Sequence, residues 1–60
     1  MKYEAHGYVI NNVPPYAEEE IAEGKVIVAR YVDGEMWFYG TYEKDRAYEV
    51  ADEIGGIVMD

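Results

Sequence analysis

Cysteine, serine, glutamine and leucine are all missing from this 60-residue chain. Without cysteine there is no disulfide framework and no thiolate zinc site to hold a small domain together. Without serine or cysteine the usual nucleophile–base arrangements of covalent catalysis are missing too. Histidine occurs once, as His6, in a segment expected to fray at the N-terminus, so no catalytic or ligand role is expected of it. Carboxylates are plentiful, but acid–base work needs a pocket that raises one pKa. A domain of this size rarely closes such a cleft, so no enzymatic activity is expected. No acidic stretch has the spaced oxygen ligands and central glycine of a calcium loop. Gly55-Gly56 follows a helical pattern instead of opening one, so it is not a phosphate loop. No metal or cofactor is therefore expected. No apolar run approaches the roughly 20 residues of a membrane span. Residues 2–6 (KYEAH) contain no apolar signal-peptide core. The expectation is a soluble cytoplasmic protein.

Bases are scarce as well, with five against thirteen acids and a formal net charge of −8. The excess sits in two blocks. Glu18, Glu19, Glu20 and Glu23 have no base among them, and Glu43, Asp45, Glu49, Asp52 and Glu53 face only Lys44 and Arg46. Patterned negative charge favours a protein partner with a basic surface and argues against nucleic acid or an anionic membrane.

What is present is strongly apolar. Half of the residues are hydrophobic and nine are aromatic, seven of them tyrosine, which is too much for a disordered acidic tail. One compact domain over 1–60 is expected, near the lower size limit, where a chain buries only about 60% of its unfolded surface. Its core must come from Val, Ile, Ala, Met and Tyr with one Phe and one Trp. Tyrosine can stand in for leucine in a thin core or supply amphipathic area at an interface.

The clearest element is a hairpin. Residues 25–32 (KVIVARYV) and 35–42 (EMWFYGTY) are β-branched and aromatic, and Asp33-Gly34 between them signals a type I′ turn. A two-residue loop pairs Val32 with Glu35. One face then carries Ile27, Ala29, Tyr31, Met36, Phe38 and Tyr42, with Gly40 opposite Ile27, and reads as the core side. The other carries Val26, Val28, Arg30, Val32, Glu35, Trp37, Tyr39 and Thr41. Downstream, Ala47, Val50, Ala51 and Ile54 fall at i, i+3, i+4 and i+7, predicting a helix over roughly 44–54. Gly55 suits its left-handed C-terminal cap, and residues 57–59 read as a short last strand. Residues 7–13 (GYVINNV) read as a strand. Residues 14–23 are either an acidic loop or a short helix started by Pro14-Pro15. The fold class expected is α+β: a small antiparallel sheet of three to four strands with one main C-terminal helix. With 14–23 helical, the order becomes a miniature β-α-β-β-α-β, compatible with a ferredoxin-like sheet carrying both helices on one face.

On the C-terminal helix, Asp45, Glu49 and either Asp52 or Glu53 lie one turn apart along one face. Like charges at this spacing cost roughly 0.2–0.5 kcal/mol per pair. Such a row can imitate a phosphate track, or it can be the solvated face that any amphipathic helix needs. The second face of the hairpin offers a different surface. Trp37 opposite Arg30 suggests a cation–π pair. If both helices cover the other side, Val26, Val28, Trp37 and Tyr39 form an exposed patch for a target or for a homodimer. Such a face resembles the aromatic stacking surface of RNA-recognition domains. Residues 35–40 (EMWFYG) lack the basic and glycine pattern of that family, however, and the net charge opposes direct nucleic-acid binding.

The segment 37–42 (WFYGTY), the Ala47/Ala51 helix and Gly55-Gly56 look like small phage orphan proteins. With the short length, the acid blocks and the α+β pattern, the chain resembles in type the small acidic anti-defence inhibitors of phages and mobile elements. These include DNA-mimicking anti-CRISPR and anti-restriction proteins and the phage inhibitors of uracil-DNA glycosylase. The resemblance implies a non-enzymatic inhibitor that occludes the nucleic-acid site of a host defence or DNA-repair protein in the bacterial cytoplasm. Its contacts would be Glu18, Glu19, Glu20, Glu23, Asp45, Glu49, Asp52 and Glu53, with Trp37 and Tyr39 as anchors. The alternatives are an assembly module dimerising through the exposed sheet face, or a small antitoxin-like regulatory subunit.

Overall fold

A computed structural model describes residues 2–60. In chain order it contains β1 (Tyr3–Ala5), β2 (Tyr8–Asn11), α1 (Tyr16–Ala22), β3 (Val26–Val32), β4 (Glu35–Tyr42), α2 (Lys44–Ile54) and β5 (Ile57–Met59). The strands form one sheet in the order β1-β2-β4-β3-β5. The α+β class expected from the sequence is the one adopted, and residues 14–23 resolve as a helix, not a loop.

Local chemistry explains most of these elements. Asp33 and Gly34 take φ values of 51° and 83°, the two positive dihedrals of a type I′ turn, and close the β3–β4 hairpin. His6 and Gly7 repeat that geometry (φ 52° and 81°) and close a second hairpin, β1–β2. Asn12 (φ 62°) and Pro14-Pro15 then turn the chain out of the sheet and into α1. Helix α2 buries Ala47, Val50 and Ala51, with Ile54 packed beside them, as the i, i+3, i+4, i+7 stripe predicts. It ends on Gly55 in the left-handed region, and the Gly56 N–H donates to the Ala51 carbonyl (2.8 Å), a Schellman closure. Gly56 is needed for a different reason, since a Cβ there would lie 2.6 Å from the Ala29 carbonyl oxygen.

Three features depart from the sequence reading. The sheet has five strands and is mixed, because β2 runs parallel to β4 (Ile10 with Met36, Asn11 with Trp37). A ferredoxin-like sheet would place the last strand beside the first of the β-α-β-β-α-β series. Here β1 occupies that edge, and β5 docks at the other, on β3. Second, the β3–β4 ladder slips. Ala29 opposes Phe38 but Val28 opposes Gly40, leaving Tyr39 as a one-residue bulge. Beyond it Thr41, not Gly40, faces Ile27, and Tyr42 pairs with Val26 on the face opposite the one expected. Glycine at position 40 leaves room for the Tyr42 ring, whose Oη lies 2.8 Å from where a Cβ would stand.

Third, the helices lie on opposite faces. Ile27, Ala29, Ile10, Met36 and Met59 pack with Ala17 and Ile21 of α1. The alternating residues Val26, Val28 and Val58 pack with Ala47, Val50 and Ala51 of α2. Successive strand residues point to opposite sides, so these two clusters are the two sides of one sheet. The connection from β2 to β3 joins antiparallel strands, so α1 escapes the handedness rule that governs parallel crossovers. Val26 and Val28, expected on an exposed face, are therefore covered by α2.

Candidate protein-binding surfaces

The acids form two outward surfaces. On α1, Glu18, Glu19 and Glu23 are exposed, whereas Glu20 is half-buried and meets Lys25 (Nζ to Oε1, 3.8 Å). On α2, Asp45, Glu49, Asp52 and Glu53 are all exposed, on the flank turned away from the sheet. Glu49 accepts a hydrogen bond from Arg46 at 3.1 Å, an i,i+3 pair that interrupts the expected row. The ammonium of Lys44 sits 2.8 Å from Asp60 Oδ2, and Tyr48 Oη donates to the same oxygen at 3.4 Å. That contact raises the Lys44 pKa, chiefly through its hydrogen bond to Asp60, and lowers that of Asp60 for the same reason.

The bases near the acid blocks are thus already engaged. Lys25, Lys44 and Arg46 each pair within the chain, to Glu20, Asp60 and Glu49. Glu18, Glu19, Glu23, Asp45, Asp52 and Glu53 have no ion pair among the described residues. Because α1 and α2 lie on opposite sides of the sheet, the structure does not join the two acid blocks into one patch. Sequence position alone could not reveal this separation, since it follows from which side each helix packs on.

Trp37 belongs to a different surface, whereas Tyr39 is the bulge residue of β4, 44% exposed between Phe38 on the α1 side and Gly40 opposite Val28. Arg30 opposes Trp37 in the hairpin register, but no cation–π contact forms between them among the described residues. The aromatic contact that does form is edge-to-face between Tyr16 and Phe38, with centroids 6.4 Å apart, on the α1 side. Trp37 and Arg30 share the α2 side with Val32 and Glu35, and strand alternation adds Val9 and its β1 partner Glu4. Helix α2 does not reach this end of the sheet. Trp37 is left 39% exposed, Val9 44% and Val32 37%. The participation of Val9 and Glu4 escaped sequence reasoning because the β1–β2 hairpin did. Its signal is the pair His6-Gly7, weaker than Asn-Gly or Asp-Gly although histidine is also enriched at positive φ.

Two open hollows flank the β1–β2 hairpin. One, of about 360 Å³, is lined by Glu4, His6, Gly7, Tyr8 and Val9. The other, of about 430 Å³, has Tyr8, Tyr31 and Met36 among its lining residues. His6 is exposed in the first. No cluster of three or more potential metal ligands occurs among the described residues. No helix among them is long and apolar enough to cross a membrane. Compared with protein-family models, with curated proteins and with solved structures, the chain finds no match.

Proposed function

We propose that this protein is a non-enzymatic inhibitor that inserts into a basic, nucleic-acid-binding channel of another protein and blocks it. The observation that carries the reading is the disposition of unpaired acids on both faces of the sheet. Glu18, Glu19 and Glu23 project from one face and Asp45, Asp52 and Glu53 from the other, while the nearby bases are neutralised within the chain. A flat basic surface could meet only one of these sets. A channel meets its occupant from two sides, and the molecule measures 30 × 25 × 17 Å between its extreme Cα positions. Charge contacts of this kind give fast association that weakens with salt. The site of action would be the cytoplasm, the bacterial host's if the protein is phage-encoded, and the target a defence nuclease or a DNA-repair enzyme.

The test is capture from bacterial lysate on tagged protein, followed by elution with a salt step and with competing DNA. Release of a nucleic-acid enzyme by DNA is the expected result. Reversing Glu18, Glu19 and Glu23 to lysine, or Asp45, Glu49 and Asp52 to lysine, should each weaken capture, because both channel walls are engaged. If both folded triple variants retained the target undiminished, the acids would be solvated faces and the reading would fail.

A further inference from the structure

We propose that the β1–β2 hairpin is a hinged arm that detaches from β4 as a unit while the rest of the fold stays intact. Its attachments are few. It joins the sheet through β2 alone, at two positions of a parallel ladder, Ile10 with Met36 and Asn11 with Trp37. The Asn11 side-chain amide adds one hydrogen bond, from Nδ2 to the Met36 carbonyl at 3.1 Å. Ile10 is the single buried side chain among the described side chains of the arm, and the half-buried Tyr3 packs against the same cluster. Helix α2 packs on β3, β4 and β5, and α1 on β3 and β4, so the helices clamp the other three strands together. Toward its turn the arm stands beside the open hollow of about 430 Å³, lined by Tyr8 and Val9 of the arm and by Tyr31, Gly34 and Glu35 of the β3–β4 hairpin.

The chain supplies a hinge where the arm meets the body. Asn12 is exposed and takes φ 62°, whereas the next residue, Val13, is 2% exposed and belongs to the core cluster under α1. Asparagine accepts both the left-handed and the ordinary backbone regions at little cost, so this one residue can absorb a change of direction. Pro14-Pro15 stiffen the chain beyond it and lead into α1, which fixes the body end of the hinge. The body is held far more firmly. Strand β3 buries Ile27, Val28 and Ala29, and α2 buries Ala47, Val50 and Ala51. Opening below the level of global unfolding begins where buried apolar contacts are fewest. A two-stranded hairpin is marginally stable on its own, so the arm's internal ladder exchanges its protons once it is released. Release bares the edge of β4 at Met36 and the apolar socket vacated by Ile10. The inference does not depend on the inhibitor reading, since neither acid block lies on the arm.

Native-state hydrogen exchange, followed by NMR across a series of low urea concentrations, tests it on the full chain. Relative to their intrinsic rates, the hydrogen-bonded amides of β1 and β2 should exchange about tenfold or more faster than those of β3 and α2. Their urea dependence should be shallow, because the opening exposes little surface, while β3 and α2 show the steep dependence of global unfolding. Two substitutions separate the two openings. Gly55→Ala strains the cap of α2 in the closed and the open form alike. It should speed exchange in β3 and α2 by about fivefold and leave β1 and β2 unchanged. Asn11→Ala should speed all four elements by a similar factor of about five, because the open and the unfolded form both lack its bond to Met36. The inference is overturned if the amides of β1 and β2 share the rate and urea slope of β3 and α2, or if Gly55→Ala speeds both sets alike.

Discussion

Within β3, the segment Val26–Ala29 is covered on both faces, whereas Arg30–Val32 is exposed on both. Both stretches are rich in β-branched or aromatic residues, so residue type does not distinguish them. Coverage does. At Ile27 and Ala29 the α1 cluster closes one side, at Val26 and Val28 the α2 cluster closes the other, and β5 pairs along the edge at Ile27–Ala29. None of these reaches the turn end. A strand this short can therefore serve as the centre of the core and, three residues later, as a surface. The first half carries the stability and the second is free to carry an interaction.

That comparison is most directly broken in the covered half. Ile27→Ala removes a side chain that is 1% exposed and should cost about 2–5 kcal/mol. A chain of this size has a total stability of roughly 3–9 kcal/mol. Urea denaturation should therefore show a protein largely unfolded in buffer. Next in size is Gly56→Ala, whose added methyl meets the Ala29 carbonyl oxygen at the point where β3 is most tightly enclosed. A loss of about 1–3 kcal/mol is expected in the same assay. Gly55→Ala should cost only about 1 kcal/mol, because it meets open space and pays for its left-handed backbone alone.

In the bare half, Tyr31→Ala should change monomer stability by less than about 0.5 kcal/mol, since Tyr31 is 61% exposed. A loss comparable with Ile27→Ala would erase the distinction between the two halves. The smallest effect expected is electrostatic. The Lys44–Asp60 contact fastens the residue after β5 to the start of α2. The Asp60 carboxyl is held below its ordinary value, so its contribution is present above the usual aspartate range and disappears as pH falls through the lowered pKa. The Lys44 ammonium is raised, so its contribution is present below the usual lysine value and disappears as pH rises through the raised one. Both groups are exposed, so the change in stability should be slight, and an NMR titration of the Asp60 carboxyl is the sensitive readout. Lys44→Ala should move its midpoint upward, and a midpoint that stays in place would mean that the contact does not form in solution.

The elements legible in the sequence are those whose cause is local. Asp33-Gly34 dictates its turn because only certain residues accept two consecutive positive φ values, and it aligns Val32 with Glu35. The spacing of Ala47, Val50, Ala51 and Ile54 specifies both the helix and its buried stripe, and Gly55 its end. The outward acids of α2 follow from the same periodicity. What tertiary structure alone decided is the relation between these pieces. No local rule says that Tyr39 bulges out of register, since the bulge reconciles Phe38 on the α1 side with Tyr42 on the α2 side. Nor does any local rule assign α1 and α2 to opposite faces. Either face of β3 is apolar enough to accept a helix, and the choice is made by the competition of both helices for one short sheet. That choice divided the acids between two surfaces and left the end of the sheet around Trp37 bare.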